Sequence, residues 1–168
     1  MLPLQTSRLL LRACRLPLIT EIYLEDVHAA TTLQASIPPE WPQQDLKALL
    51  PHYIEILQDD PQAFPWLLWV IIDVKADALL GHVGFKGRPD REGAVELCYS
   101  MLPLHRNRGY MQEAAAALIS WAFRQPHVRK IIAECDVTNI PSRKVLQKLG
   151  MQETGHSGEL LFWQLMNR

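Results

Sequence analysis

The chain predicts a single domain of the α/β (α+β) class, a mixed sheet with helices packed on its faces. Three observations predict it: apolar runs at strand period alternate with stripes at helical period, no linker or repeat interrupts them, and the composition is that of an ordinary globular protein. Hydrophobic residues make up 48% and charged residues 21% of the 168 positions, within the normal globular range. A chain of this length buries roughly two-thirds of its unfolded surface, enough for one real core.

The elements follow in order. Residues 8–14 read as a first strand, with Leu9 and Leu11 on one face opposite Leu10. Residues 17–30 and 43–58 carry apolar positions at helical spacing and are separated by the breaker run Ile37-Pro38-Pro39-Glu40-Trp41-Pro42. Two β-rich runs, 66–74 and 79–85, flank a connection short enough for a hairpin. Residues 94–101 form the next strand and 102–108 a loop. Residues 110–123 form a helix with Met111, Ala114, Ala115, Leu118, Trp121 and Ala122 along one stripe. Residues 130–135 suit a central strand, and 139–149 a helix begun by Asn139 and Pro141 and stopped by Gly150. Short strands at 151–156 and 160–165 complete the sheet.

A formal net charge of -1 provides no overall field toward nucleic acid or an anionic membrane, so any anion site must be local. Cys14, Cys98 and Cys135 are an odd set without CxxC spacing and read as free thiols of a reducing compartment. The Arg-bearing first 15 residues suit either a transit peptide or a buried strand; they lack an apolar h-region and a cleavage site, which favours the strand. No apolar run approaches the about 20 residues that span a bilayer. The expected location is the cytoplasm, with no membrane partner.

The basic residues gather at His105-Arg106-Asn107-Arg108-Gly109-Tyr110-Met111, between a strand and a helix start. Free backbone N–H groups and the positive end of the helix dipole converge there. Gly109 permits close approach of the backbone, and Arg106 and Arg108 add donors suited to phosphate oxygens. The segment is either a seat for a pyrophosphate or a solvated basic turn. GxxxxGK[ST] is absent and no GxGxxG follows a strand, which excludes a nucleotide-hydrolase P-loop and a dinucleotide fingerprint.

Arg106-x-x-Gly109-x-Met111 resembles the Q/R-x-x-G-x-G/A signature of the GNAT acetyltransferases, whose backbone amides bind the coenzyme A pyrophosphate. Ser7-Arg8-Leu9-Leu10-Leu11-Arg12 resembles the first strand, and Val95-Glu96-Leu97-Cys98-Tyr99 the fourth, of the branch containing the ribosomal-protein N-terminal (Rim-type) acetyltransferases. Asn139-x-x-Ser142-x-x-Val145-Leu146-x-Lys148-Leu149-Gly150-Met151 is similar to the same branch's last motif. The resemblance covers nearly the whole chain in order. It implies a mixed, mostly antiparallel sheet of about seven strands flanked by about four helices, with acetyl-CoA as cosubstrate and no metal. It also implies coenzyme contacts at Tyr99, Ser100 and Met101 by backbone, at Arg106, Asn107, Arg108, Gly109, Tyr110 and Met111 in the loop, and at Asn139 and Ser142. Met111 stands where the family has Gly or Ala, so its side chain is expected to turn into the core.

Transfer of an acetyl group from a thioester to an amine needs a neutral amine, a polarised carbonyl and an acid for the leaving thiolate. Glu96 is a candidate base on the coenzyme strand, or a surface glutamate. Leu146 occupies the place of the tyrosine acid found in many GNAT enzymes, which leaves Ser142 as the hydroxyl expected near the sulfur. Asn139 suits both coenzyme contact and an N-cap. Tyr99 and Tyr110 read as packing residues, Cys98 and Cys135 as core. The six histidines lack paired metal-ligand spacing. Trp41, Trp66, Trp69 and Trp163 suit either an acceptor wall or the core, no acidic cluster marks a polyamine pocket, and Glu153 and Glu159 are too few to decide. The expected acceptor is a protein N-terminus or a small-molecule amine, acted on by a monomer or homodimer. A non-catalytic acyl-CoA sensor is the alternative. A nucleic-acid module built on Arg106, Arg108, Arg124, Arg129 and Lys130 is disfavoured by the balanced charge.

Overall fold

The computed structural model describes residues 2–168. In chain order the elements are β1 (Leu4–Gln5), β2 (Leu9–Ala13), α1 (Leu16–Tyr23), α2 (His28–Leu33) and α3 (Gln44–Asp59). A 3-10 turn (Pro61–Trp66) leads into β3 (Leu68–Asp73), β4 (Ala78–Phe85) and β5 (Ala94–Met101). A second short 3-10 turn (Pro103–His105) precedes α4 (Tyr110–Phe123), β6 (Lys130–Asp136), α5 (Ile140–Lys148), β7 (Gln152–Ser157) and β8 (Leu160–Met166). The strands form one eight-stranded sheet of order β1-β2-β3-β4-β5-β6-β8-β7. Every neighbouring pair is antiparallel except β5 and β6, which run parallel.

Each face of the sheet carries its own core. On one side α4 lays Met111, Ala114, Ala115, Leu118, Ile119, Trp121 and Ala122 against Leu9, Leu11, Val83, Val95 and Leu97. On the other side α1 and α3 bury Leu18, Ile19, Ile22, Leu46, Leu50 and Leu57 against Val70, Ile72 and Leu79. Covered on both faces, β3 and β4 are therefore continuously apolar rather than alternating. Gly84 in β4 has no room for a side chain, since a Cβ there would lie 1.9 Å from the Leu67 carbonyl oxygen.

The mixed, mostly antiparallel α/β architecture is the expected one, with two differences in count. Leu4–Gln5 adds an eighth strand, paired to Leu10 and Leu11; two residues are too few for periodicity to register. The helix expected over residues 17–30 is two helices, α1 and α2, because Glu25 takes a left-handed φ of 54° and Asp26 Oδ1 accepts from the His28 amide at 2.9 Å. Residues Trp66 and Leu67 fall before β3, in and after the 3-10 turn built on Pro61 and Pro65.

Candidate active site

The sheet opens where its one parallel pair ends. β5 and β6 are in register only from Ala94–Lys130 to Glu96–Ile132. Beyond Glu96, β5 remains paired to β4 as far as Met101, while β6 follows β8 to Asp136. The edge of β5 from Leu97 to Met101 that faced β6 thus has no strand partner. A cavity of about 450 Å³ fills this wedge and extends beneath the starts of α4 and α5. It is lined by Tyr99, Ser100, Met101, Arg106, Asn107, Gly109, Tyr110, Met111, Asn139 and Ser142, all of them residues expected to contact a coenzyme. Arg108 is the exception. It does not line the cavity, and its carbonyl oxygen instead accepts from Arg8 Nη1 at 3.0 Å.

The loop reaches the cavity through two left-handed residues, Asn107 at φ 59° and Gly109 at φ 75°. Gly109 is the N-cap of α4 and supplies no side-chain acceptor, so the first amides of the helix are left to a ligand. Arg8 and Glu113 hold this helix start in place. The Glu113 carboxylate accepts from Thr6 Oγ1 (2.5 Å), the Arg8 amide (3.1 Å) and Arg8 Nε (2.7 Å), and the Arg8 guanidinium lies 4.4 Å from the centre of the Tyr110 ring. The Tyr110 hydroxyl donates to Asp73 at 3.4 Å, which makes this ring a packing residue.

Met111 is buried in the core beneath α4 while still touching the cavity wall, so the side chain that replaces Gly or Ala turns inward as expected. Arg106 is partly committed to structure, its Nε donating to the Met101 carbonyl oxygen at 3.0 Å. That oxygen is therefore already occupied, while the Met101 amide is not engaged by this contact. Positive charge comes also from Lys144 and Lys148, which line the same cavity from α5. Their i, i+4 spacing four residues apart on one predicted helix was the signal that sequence reasoning passed over.

Inside the wedge the Tyr99 hydroxyl lies 2.8 Å from Ser142 Oγ and 3.4 Å from the Ser142 carbonyl oxygen. Tyr99 is thus more than a backbone contact. Burial, partly offset by the Ser142 bond, pushes its hydroxyl up to about 12, so it stays protonated at neutral pH. Asn139 caps α5, its Oδ1 accepting from the Ser142 amide at 3.1 Å, and this cap fixes the serine opposite the tyrosine. Leu146, at the place of the absent tyrosine acid, is fully buried.

Glu96, Cys98 and Ser100 occupy the alternate positions of β5, opposite in facing to the core residues Val95 and Leu97. Glu96 does not line the cavity. It is ion-paired with Lys86, its cross-strand neighbour, and its side chain is 25% exposed. Burial opposes the Lys86 charge, but the hydrogen bond and charge of Glu96, with Glu134 nearby, outweigh it and raise the ammonium above its ordinary value. Ser100 Oγ donates to Gln43 Oε1 at 2.5 Å. Cys98 lies 3.7 Å from the Tyr53 hydroxyl, and burial pushes its thiol up to about 11, as suits an inert residue. The tryptophans divide: Trp66 and Trp69 pack on Trp121 in the α4 core, Trp163 is buried there too, and Trp41 alone lies on the α3 side, its Nε1 donating to His82 at 3.4 Å.

Residues 8–152 match the model of an acetyltransferase (GNAT) domain. The chain belongs to the GNAT acetyltransferase family. It is also 33% identical over 163 residues to an uncharacterised N-acetyltransferase of Bacillus subtilis, YjdG, an alignment that spans 97% of each chain. Among solved structures, the ribosomal-protein-S5-alanine acetyltransferase of Vibrio fischeri superposes with a TM-score of 0.69 at 19% identity, over 99% of this chain and 97% of that one. RimL, a ribosomal L7/L12 α-N-protein acetyltransferase in complex with coenzyme A, gives 0.69 at 16% identity, over 98% and 97%. The acetyltransferase thus shares its whole fold with Rim-type enzymes. Among the described residues no group of three His, Cys, Asp or Glu is arranged to hold a metal, and no helix is long and apolar enough to cross a membrane.

The Arg8–Glu113 contact carries a pH signature. Burial raises Glu113, but the bonds from Thr6 and Arg8 and the Arg8 charge outweigh it and hold the carboxyl below its ordinary value of 4.5. A depressed native value means that the stabilisation is present above the unfolded value and is lost as pH falls through the native one. Glu113→Gln is expected to cost about 1 kcal/mol at neutral pH, discounted for the half-exposed Arg8. The gap in thermal midpoint to the wild type should close as pH falls below the ordinary carboxyl value of 4.5; a gap independent of pH contradicts this role.

Proposed function

We propose that this N-acetyltransferase moves an acetyl group directly from acetyl-CoA to a primary amine, with a protein N-terminus as the leading acceptor and a small-molecule amine as the second. The observation that carries this proposal is the wedge between β5 and β6, which combines unpaired backbone, a hydroxyl pair and an anion-binding loop at its mouth. The amides at Gly109–Met111, with Asn107, Lys144 and Lys148, hold the pyrophosphate. The pantetheine arm lies along the free edge of β5 as a strand would, and a backbone N–H near Tyr99 or Ser100 polarises the thioester carbonyl.

The acceptor arrives from the Glu96 and Ser100 face of the strand. Its neutral nitrogen attacks the carbonyl carbon, the N–C bond forms and the C–S bond breaks. Sulfur takes a proton from the Ser142 hydroxyl, which recovers one from Tyr99; the amine proton leaves through water to Glu96, and the cycle closes when Glu96 releases it to solvent and Tyr99 takes one back. An amine that is already partly neutral asks least of Glu96 as a base. An α-amine has a pKa of about 8, against about 10.4 for a lysine side chain, and this supports the N-terminal acceptor. Rim-type enzymes acting on ribosomal proteins point the same way by analogy only.

Calorimetric titration with acetyl-CoA tests the coenzyme site. Gly109→Glu should weaken binding at least about tenfold, a change of about 1.4 kcal/mol, while Gly109→Asn, which tolerates a left-handed φ without added charge, should bind nearly as the wild type does. No binding by the wild type contradicts the proposal. Turnover is measured as thiol release over a panel of N-terminal peptides and small amines; saturable binding without release from any amine would instead favour an acyl-CoA sensor. With a productive acceptor, Ser142→Ala and Tyr99→Phe should each lower kcat about 100-fold. If the hydroxyls act as one relay, the double variant should fall little further.

A further inference from the structure

A second cavity, of about 550 Å³, lies at the other end of β5 and β6 from the coenzyme wedge. Arg88 and Arg91 reach it from the β4–β5 connection, and His127 and Arg129 from the α4–β6 connection. We propose that it is a binding site for a small phosphorylated molecule. Arg88 is already paired to Asp60, through Nε at 2.8 Å and Nη2 at 2.7 Å. Among the described residues, Arg91 and Arg129 are in no ion pair. The one carboxylate on the lining, Asp90, is occupied by its own turn, accepting from the amides of Glu92 (2.8 Å) and Ala94 (2.9 Å). Two unpaired guanidiniums therefore face one concavity in a protein whose net charge is -1, so the positive potential is concentrated there rather than spread.

The concavity is built rather than incidental. Gly93 has φ 78°, and a Cβ on it would come within 2.3 Å of the His127 carbonyl oxygen, so the two connections touch backbone to backbone. The amides of Arg129 and Lys130 both donate to the Gly93 carbonyl oxygen, at 2.8 and 3.2 Å. Trp66 closes the floor, its ring 4.9 Å from Trp121 in the core. The arginines thus stand on two mutually locked segments over a rigid base. The planar fork of a guanidinium matches phosphate oxygens with paired N–H donors, and a concavity of this size, about 550 Å³, suits a small molecule.

The test is titration of the intact protein with inorganic pyrophosphate, followed by calorimetry at low salt, on three proteins: wild type, Arg91→Ala/Arg129→Ala, and Lys144→Ala/Lys148→Ala. Both substitution pairs are at the surface, and circular dichroism checks that the variants fold. The proposal expects saturable binding to wild type that survives in the lysine variant and weakens at least tenfold in the arginine variant. It is overturned if pyrophosphate does not bind saturably to the wild type. It is equally overturned if the lysine variant loses all binding while the arginine variant keeps it, because the anion would then occupy only the coenzyme wedge. Acetyl-CoA binding is titrated separately, so failure of this site leaves the coenzyme wedge untouched.

Discussion

The structure depends on the parting of β5 from β6. Two parallel strands paired over only three positions, Ala94–Glu96 with Lys130–Ile132, leave a run of backbone donors and acceptors at the centre of a sheet where continued pairing is the rule. Buried backbone groups need partners, and here the partner is not the neighbouring strand. β6 stays with β8 for its whole length, and Met111 of α4 and Leu146 of α5, the helices that flank the wedge, are core residues. The helices beside the opening are therefore held by the same packing that stabilises the domain. A ligand able to run beside a strand edge, with a carbonyl to be polarised, is what such an opening can use.

Around that opening the charges are arranged by proximity rather than by total. The overall balance is nearly neutral, yet Lys144, Lys148 and Arg106 meet the free helix amides behind Gly109 at one mouth of the wedge. Arg8, by contrast, spends its charge on Glu113 and the Arg108 carbonyl; it fixes the loop instead of binding an anion. On the opposite face of β5, Lys86 neutralises Glu96. The two sides of one strand thus differ in chemistry, with the Tyr99 hydroxyl toward the wedge beside Ser142 and the paired Glu96 carboxylate on the opposite face, because side chains alternate across a strand.

Much of this was legible in the sequence. The order of elements follows from periodicity, and the Arg106–Met111 segment follows from a glycine at a strand-to-helix turn. What was not legible depends on three-dimensional neighbours. Asn107 and Gly109 line the cavity and Arg108 between them does not; the loop carbonyl at Arg108 is held by Arg8, 100 residues earlier, a contact that no local pattern reveals. Tyr99 reads as packing because an aromatic on a strand usually is; its role beside Ser142 exists only once α5 crosses β5. The division of residues 17–30 into two helices turns on a single left-handed residue, Glu25, at which no glycine or proline marks the break.

The most direct test of the central claim is amide hydrogen exchange with and without saturating acetyl-CoA. If the pantetheine arm completes the open edge of β5, the amides of Tyr99 and Met101, which alternate with those bonded to β4, should exchange markedly more slowly in the complex, together with those of Gly109–Met111, while β2 and β3 remain unchanged. Saturable binding that leaves exchange over Leu97–Met101 unaltered would contradict the account, because the coenzyme would then be held somewhere other than the wedge.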